Sequence, residues 1–445
     1  MSQRSPLAIF AGAVFFIALT TTALAQGAGA FGGPLPIDRS VESERRLYAK
    51  LHIEERYAIA FHPYASLCRD RSPGVANCLA MIITDDSGTP LSFDPAKQTL
   101  PGYSPKELRA AYSVTGVASG QPIVGIVDAY GYPAAMNDLK AYSKQLKLPV
   151  LPKCVGPVAN SSVPCIQIVN EKGGKKLPTT VDSGWEAEQA LDLQTVHALC
   201  ENCSILLVEA DANGLGDLAV SVNTAANLGA NAISNSWGTP DFSGESGADH
   251  SYLNHPGVAI TASSGDDGYA GGVVWPASSP NVVGVGGTSL FLSTNGKKYA
   301  SETAWSGTGS GCSANESRPS WQPSLSGCPN NRTVSDISAD GDPNTGIAIY
   351  EGDGCTGNCW YELGGTSLSS PIIASLFALA GNIQSDNSQA ASILYANVSK
   401  QNSRDIIKGS NGTCEFSYLC NAVPGYDGPT GLGSPKGLNI FVAQP

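Results

Sequence analysis

Short apolar runs alternate with amphipathic stretches along most of the chain after residue 103. The apolar runs have the length and composition of buried strands, whereas the stretches between them repeat their apolar positions at helical spacing. The predicted strands are 123–127, 166–169, 205–210, 232–236, 258–263 and 282–285. The predicted helices are 134–145, 185–199, 218–228 and 367–380. This alternation favours an α/β fold, a parallel twisted sheet covered by helices on both faces.

A short N-terminal appendage is predicted to precede this domain. Ser104 and Pro105 favour the start of a helix, as its N-cap and first-turn residues. Residues 85–102, just before them, contain the proline and glycine that are typical of a linker. We therefore predict an appendage or short pro-segment with its linker over residues 26–102, and the main domain over residues 103–445.

The first 25 residues have the pattern of a secretory signal. Arg4 supplies a positive start, residues 7–19 are apolar, and Ala23-Leu24-Ala25 is a small-x-small cleavage site. The apolar run is too short for a comfortable membrane span, and no later stretch is long enough. We therefore predict export, to the medium or to the periplasm of a Gram-negative bacterium.

Composition narrows the classes of partner. Of 445 residues, 42% are hydrophobic and only 14% are charged, and 50 are glycine, which is typical of a loop-rich extracellular enzyme. The formal net charge is −12, which argues against nucleic acid and anionic membranes as partners. The acidic balance also fits work at low pH, although solubility alone explains it equally well. We expect a monomer.

Twelve cysteines in an exported chain indicate disulfides. They fall into neighbouring pairs, and we predict that each pair is bonded. The pairs are Cys68/Cys78, Cys154/Cys165, Cys200/Cys203, Cys312/Cys328, Cys355/Cys359 and Cys414/Cys420. A zinc site is not favoured, because the chain has a single CxxC and no second cluster to complete it.

Ser367 lies in the most specific motif, Gly-Gly-Thr-Ser-Leu-Ser-Ser-Pro over residues 364–371. Two glycines permit a tight approach, and a serine at the start of a helix lies where amides favour developing negative charge. These are the requirements of a nucleophile and its oxyanion. A serine that merely caps a buried helix gives the same pattern.

A nucleophilic serine needs a base, and carboxylates supply the better candidates. None of the five histidines lies in a known catalytic motif, and there is no GxSxG. Glu188 and Asp192 stand at i and i+4, so they share one helix face. Facing a cleft, they would couple and share a proton. An exposed acidic helix face is the alternative.

Asp266 follows a predicted strand in Ser-Ser-Gly-Asp-Asp-Gly, residues 263–268. An acid at the carboxyl end of a strand is well placed for a site in an open parallel sheet. In protonated form it could donate a hydrogen bond to a tetrahedral oxyanion. An ordinary Asp-Gly turn is the alternative.

Two loops near the C-terminus contain Asp405 and Asp427. Carboxylates together with carbonyl oxygens suit a hard cation such as Ca²⁺, which takes about six to eight oxygen ligands. On its own, this pattern is common in glycine-rich loops.

In this order, the motifs resemble the sedolisin family of serine-carboxyl peptidases, and its kumamolisin-like members most closely. The resemblance runs from about residue 103 to the C-terminus. It is carried by residues 188–192, 233–238, 263–266, 276–280, 285–288, 364–367 and the Gly-Tyr-Asp-Gly-Pro-Thr-Gly-Leu-Gly-Ser-Pro run from residue 425. It implies a subtilisin-like parallel sheet between helices, and a serine-type endopeptidase or tripeptidyl peptidase that acts on protein or peptide substrates in acid.

The resemblance also implies roles for individual residues. Ser367 would be the nucleophile, Glu188 the general base and acid, Asp192 its assistant and Asp266 the oxyanion partner. One structural Ca²⁺ would be bound by the side chains of Asp405 and Asp427 and by the carbonyls of Ile406, Val423 and Gly425.

Three features depart from the family pattern. Val423 stands where members often have glycine, which requires a negative φ at this position. Asp128 replaces a glutamate that extends the acid network together with a tryptophan, here Trp237, and its shorter side chain would weaken that link. The family's pro-domain is much longer than residues 26–102.

Two alternatives stay open. The first is a subtilisin-like Ser-His-Asp peptidase that uses Asp128, His197 and Ser367, although the histidine motif of that family is absent. The second is a non-catalytic secreted protein on the same scaffold.

Overall fold

The computed structural model describes residues 31, 33–53, 57, 59–69, 72, 74–293, 298–353, 355, 357–381 and 389–443. The predicted signal peptide lies outside the described residues. No helix in the described part of the chain combines the length and apolarity needed to cross a bilayer.

The described residues form helices and strands in alternation. The helices are α1 Val41–Leu51, α2 Pro105–Ala111, α3 Ala135–Leu146, α4 Ser183–Leu199, α5 Leu215–Asn227, α6 Glu245–Ala248, α7 Thr366–Ala380 and α8 Ala390–Asn397. The strands are β1 Tyr64–Ser66, β2 Asn77–Cys78, β3 Met81–Ile83, β4 Ile123–Ala129, β5 Ile166–Asn170, β6 Ser204–Ala210, β7 Ala232–Asn235, β8 Trp237–Pro240, β9 Ala259–Ser263, β10 Val274–Trp275, β11 Val283–Leu292, β12 Tyr299–Ala304, β13 Gly311–Ser317, β14 Asn331–Val334, β15 Ile337–Asp340, β16 Ile347–Tyr350, β17 Trp360–Gly364, β18 Ser403–Arg404 and β19 Ser434–Pro435.

The central sheet has the strand order β12-β11-β9-β7-β4-β6-β5, with β15 also paired to β11. Its inner pairs are parallel, and β12 runs antiparallel at the edge. On β6, Ile205 and Leu207 join the hydrophobic cluster that contains α4 and α7, whereas Leu206 and Val208 join the cluster that contains α5. Helices therefore bury both faces, which confirms the predicted α/β fold.

The predicted elements after residue 103 are present, with ends that differ by up to three residues in most cases. Ser104 caps α2 as expected, and the structure adds a full capping box, since the Ser104 side chain accepts from the Glu107 N–H and Glu107 bonds back. The strand predicted at 282–285 is much longer, because β11 continues through Gly286 and Gly287 to Leu292. A Cβ on Gly287 would lie 2.9 Å from Trp305, so this glycine marks a close contact inside a strand.

The N-terminal residues share sheets with the main domain. β2 pairs antiparallel with β8, and β3 pairs antiparallel with both β1 and β17. In the predicted linker, the Phe93 N–H donates to the Trp360 carbonyl at 2.9 Å. On α1, the Tyr48 hydroxyl donates to Asp342 at 2.8 Å. The boundary at residue 102 stays a prediction, but the described residues before it are interwoven with those after it.

All six predicted disulfides are present. They join Cys68 to Cys78, Cys154 to Cys165, Cys200 to Cys203, Cys312 to Cys328, Cys355 to Cys359 and Cys414 to Cys420. Each closes a short loop, since the largest sequence separation is 16 residues.

Candidate active site

Ser367 is the second residue of α7, directly after the carboxyl end of β17. The chain turns between them at Gly365, whose φ of +93° favours glycine. The Ser367 hydroxyl donates to Glu188 Oε2 at 2.7 Å and approaches the Ser236 carbonyl at 3.2 Å. The serine hydroxyl therefore has a carboxylate partner at the distance needed for proton transfer.

Glu188 and Asp192 lie on α4, which is buried on nearly every side. Both side chains are fully buried, so the exposed acidic face considered above does not occur. The Ser236 hydroxyl contacts both carboxylate oxygens of Asp192, at 2.7 and 2.8 Å. Glu188 Oε1 has no hydrogen-bond partner among the described residues. Of the two predicted acids, Glu188 therefore contacts Ser367 directly, whereas Asp192 is bound by the Ser236 hydroxyl.

Burial and like charge raise the pKa of both acids. For Glu188 the pKa is well above its usual range, first because burial removes water and then because Asp192 and Asp128 lie nearby, while the Ser367 hydrogen bond opposes the shift. Burial also raises the pKa of Asp192, followed by the charge of Asp128. The buried acids therefore favour a state with protons retained among them.

Asp266 follows β9 and a tight turn, and it faces the start of α7. Its Oδ1 accepts from the Thr366 N–H at 2.8 Å and from the Thr366 hydroxyl at 2.6 Å. Its Oδ2 is buried without a partner among the described residues. Burial raises the pKa of Asp266 well above its usual range. A protonated Oδ2 would then be a donor directed at the space beside Gly365, where an added Cβ would lie 2.7 Å away.

Asp128 and Trp237 border this site without contacting each other by a hydrogen bond. The Trp237 indole N–H donates to the Val127 carbonyl at 2.9 Å instead. Both carboxylate oxygens of Asp128 are buried and lack partners among the described residues. Burial, followed by the charge of Glu209, raises the pKa of Asp128 to about 8. Asp128 therefore adds an acid to the electrostatics of the site rather than a link to the tryptophan.

Three residues of this network were missed by the sequence reasoning as functional residues. Ser236 binds Asp192, Thr366 binds Asp266, and Glu209 lies opposite Asp128 on the neighbouring strand. The only sequence signal for each was its position at the carboxyl end of a strand or beside Ser367.

His197 is a structural residue. It lies nine positions after Glu188 on α4, which places it about 13 Å further along the helix axis. Its Nε2 contacts the Pro149 carbonyl at 2.7 Å, and burial lowers its pKa. A triad of Asp128, His197 and Ser367 is therefore not assembled.

The residues proposed for calcium come together where two loops meet. Both carboxylate oxygens of Asp405 accept from the Gly425 N–H, and Asp427 Oδ2 accepts from the Val423 N–H at 3.0 Å. Val423 does not adopt a positive φ, and Ile406 is buried beside them. Burial raises the pKa of Asp427 to about 7, and the charge of Asp405 adds to this shift. A cation would relieve that repulsion, so the donor set fits a hard metal ion.

A metal site can also be built from side chains alone. No group of three or more His, Cys, Asp or Glu side chains suited to a metal occurs in the part of the chain that the structure describes. The calcium ligands proposed above differ from such a cluster because three of the five are backbone carbonyls.

Comparison with known proteins finds one family and several relatives that this chain resembles. Residues 180–411 match the subtilase family. The chain is 28% identical to sedolisin from Pseudomonas sp. (strain 101) over 376 residues, which cover 76% of this chain and 60% of that protein. It is 29% identical to kumamolisin from Bacillus sp. (strain MN-32) over 311 residues, which cover 63% of this chain and 55% of that protein.

A solved structure has the same architecture. Pseudomonas sedolisin, a serine-carboxyl proteinase complexed with two molecules of pseudo-iodotyrostatin, superposes with a TM-score of 0.62 at 29% identity. The alignment covers 76% of this chain and 96% of that one. The chain therefore spans nearly all of the solved sedolisin chain, but only 60% and 55% of the full-length relatives.

Proposed function

We propose that this chain, which belongs to the subtilase family and to its sedolisin group of serine-carboxyl peptidases, hydrolyses peptide bonds through an acyl-enzyme on Ser367. The observation that carries the proposal is the 2.7 Å hydrogen bond from the Ser367 hydroxyl to Glu188. In the described residues, the only other hydrogen-bond partner of this hydroxyl is the Ser236 carbonyl. A carboxylate therefore occupies the place where a base must lie.

Glu188 serves as base and then as acid. It takes the hydroxyl proton as Ser367 Oγ bonds to the scissile carbonyl carbon, and it returns that proton to the leaving amine. Asp192, 0% exposed and held by Ser236, favours the protonated form of Glu188 through its charge. Water then attacks the ester carbonyl while Glu188 takes a proton from the water. Glu188 returns that proton to Ser367 Oγ as the acyl group leaves.

Asp266 stabilises the intermediate. Its raised pKa keeps Oδ2 protonated, so the carboxylic acid can donate to the oxyanion as negative charge develops there. The Ser367 backbone N–H, at the start of α7, is the second donor. The site is suited to activity in acid, because Asp266 is protonated there. As the pH rises, Asp266 loses its proton and the oxyanion loses this donor.

Export and calcium binding belong to the same proposal. The N-terminal signal pattern and six disulfides suit a secreted protein. A Ca²⁺ held by Asp405, Asp427 and the carbonyls of Ile406, Val423 and Gly425 would fix the C-terminal loops. It would have a structural role, apart from the peptide-cleaving residues.

The test is cleavage of a denatured protein in acid by the wild type, Ser367→Ala and Ser375→Ala. Ser375 is a matched control, because it is buried on the same helix and its hydroxyl has no partner among the described residues. We expect Ser367→Ala to lower kcat by about 10³-fold or more and Ser375→Ala to retain activity. An equal rate for Ser367→Ala and the wild type would reject the peptidase mechanism and favour a non-catalytic protein.

A further inference from the structure

A surface groove lies at the end of α4 that is far from the active site. It consists of two hollows of about 540 and 660 Å³ that meet at the end of α2, since Ala110 and Ser113 line both. Arg109 locates the groove, because its guanidinium donates to the carbonyl of Leu199, the last residue of α4, at 2.5 Å. Leu199 lies eleven residues after Glu188 on that helix, which is about 16 Å along its axis. The groove is therefore separate from the active site.

The charge of this groove is opposite to that of the whole chain. Its lining includes seven of the 26 lysines and arginines and one of the 38 acids, although the net charge of the chain is −12. The cations are Lys298, Lys400, Arg404 and Lys436 in the first hollow, and Lys106, Arg109 and Lys147 in the second. We call it the basic groove. A concave surface with one sign of charge concentrates ions of the opposite sign, so the groove favours an anionic ligand.

The two arginines fix the floor of the basic groove. Arg109 joins α2 to the end of α4 through the bond described above. Arg404 donates to the Ala111 carbonyl at 2.6 Å and also to the Pro435 carbonyl. These bonds hold α2, α4 and β19 together, so the shape of the floor is set before a ligand arrives. A site that is ordered in advance loses less entropy on binding.

The five lysines supply charges that the protein leaves unpaired. All five are exposed, and none of them takes part in an ion pair among the described residues. Elsewhere on the surface, Lys97 and Lys172 each pair with a neighbouring acid, at 3.1 and 2.7 Å. A single exposed ion pair contributes little to binding. Useful affinity therefore requires one ligand that contacts several of these lysines at once, which is a property of a polyanion.

Hydroxyl groups lie between the two sets of lysines. Ser113 lines both hollows and Thr115 lines the second, and both residues are exposed. A hydroxyl both donates and accepts hydrogen bonds, so these side chains can bond to the hydroxyls of a sugar. The groove thus combines partners for anionic groups with partners for sugar hydroxyls.

The groove lacks the features that other polyanions use. Tyr299 is the only aromatic residue among the described residues that line it, and the Arg404 guanidinium lies 3.9 Å from the centre of its ring. Single-stranded nucleic acid binds by stacking its bases on open aromatic faces. Peripheral binding to a bilayer uses an exposed apolar face, but none of the exposed large apolar side chains that the structure describes lines the groove. These observations favour an acidic sugar chain.

We propose that the basic groove binds a linear anionic polysaccharide whose carboxylate or sulfate groups pair with the five lysines. The sugar chain crosses the end of α2 from one hollow to the other, and its hydroxyls bond to Ser113 and Thr115. The inference goes beyond the proposed function, because this second site takes no part in peptide cleavage. It holds an exported peptidase on an acidic polymer, with the polymer and the active site at opposite ends of α4.

The first experiment measures binding to the full-length Ser367→Ala variant, so the result does not depend on peptidase activity. The probes are fluorescent oligosaccharides of heparin, which carries sulfates, of polygalacturonate, which carries carboxylates, and of neutral dextran. We expect an anionic chain to bind and dextran not to bind. Affinity should fall by about tenfold or more between about 50 and 200 mM salt, since several ion pairs are screened together. If neither anionic chain binds, the inference is wrong.

The second experiment locates the site with two variants that lose the same charge. The groove variant carries Lys298→Gln, Lys400→Gln and Lys436→Gln. The control variant has glutamine in place of three exposed lysines outside the groove, Lys50, Lys140 and Lys175. We expect the groove variant to bind the anionic chain about tenfold or more weakly and the control variant to bind like the parent. Equal weakening in both would show that only overall charge matters, and would overturn the groove as a site.

The third experiment separates polysaccharide from other polyanions. A short dT oligonucleotide and phosphatidylglycerol vesicles are added to the same protein at the same salt concentration. Tighter binding of either than of both anionic oligosaccharides would overturn the assignment to polysaccharide. The two proposals fail independently, since loss of oligosaccharide binding leaves peptide cleavage by the wild type untouched, and an inactive wild type leaves binding to Ser367→Ala untouched.

Discussion

At the scale of single residues, Asp266 is the group whose protonation the mechanism needs most. Its Oδ1 is fixed by Thr366, and its buried Oδ2 is left to donate. Because burial raises its pKa, the donor is present in acid and is lost as the pH rises through that pKa. Asp266 should therefore define the alkaline limit of activity.

Substitution of Asp266 tests this assignment. Asp266→Ala removes the donor and should lower kcat by about 10²–10³-fold. Asp266→Asn keeps a donor that does not titrate, so it should recover part of the activity and flatten the alkaline limb of the pH profile. The measurement is kcat against pH on a short peptide. An unchanged alkaline limb in Asp266→Asn would show that another group sets it.

The serine and the acids of the site could be predicted from the sequence better than the residues that form hydrogen bonds to them. Ser367, Glu188, Asp192 and Asp266 carry chemical signals in their motifs, and the structure brings them together. Ser236 could not be assigned to Asp192, because their contact joins positions 44 residues apart. Such pairings depend on how the strands and helices pack, which local patterns do not encode.

At the scale of elements, alternation of apolar runs predicted the main strands and helices, whereas their ends and partners needed tertiary information. β11 extends beyond its predicted end because Gly287 packs closely against Trp305 inside the strand rather than forming a turn. The strands β2 and β3 were not predicted as part of the main domain. They are only two and three residues long, and they are stabilised by pairing with β8 and β17.

The calcium site proposed at Asp405 and Asp427 gives a prediction about stability. Removal of Ca²⁺ with a chelator should lower Tm, because a cation that binds only the folded state stabilises it by mass action. The loss should depend on free Ca²⁺ and be reversed by adding it back. Asp427→Asn should be less stable and insensitive to chelation, whereas Asp86→Asn, an exposed control far along the chain, should respond like the wild type. A Tm unaffected by chelation would reject the calcium site.

At the scale of the whole molecule, buried acids make stability depend on pH. Burial raises the pKa of Glu362 and Glu44 to about 8 and that of Glu209 to about 7. Each folded pKa lies above the unfolded value, so the folded state holds more protons. The contribution of these buried acids to the free energy of unfolding is therefore complete below about pH 4, and it is lost as the pH rises through about 7 to 8.

Thermal unfolding should therefore show a higher Tm near pH 4–5 than at pH 8, by on the order of 10 °C. Glu362→Gln should raise Tm at pH 8 with little change at pH 4. Glu42→Gln, at an exposed position on α1, should leave the difference unchanged. A Tm that rises steadily from pH 4 to pH 8 would contradict this reading of the buried acids.

Burial of the site links these scales. Burial is the largest cause of the raised pKa of Glu188, and residues 74–84 lie over the site, since the Ser367 N–H donates to the Leu79 carbonyl at 3.4 Å. When water enters the site, desolvation weakens and the pKa of Glu188 falls towards its ordinary range. The free site should then hold an ionised acid beside Ser367 even in acid.

The most direct test of proton transfer from Ser367 to Glu188 is kcat/KM against pH on a short peptide. The wild type should be compared with Glu188→Gln. We expect activity to persist at about pH 3–4, and Glu188→Gln to lower kcat/KM by about 10²-fold or more. Activity that disappears below about pH 6, as a histidine base requires, and that survives Glu188→Gln would contradict the account.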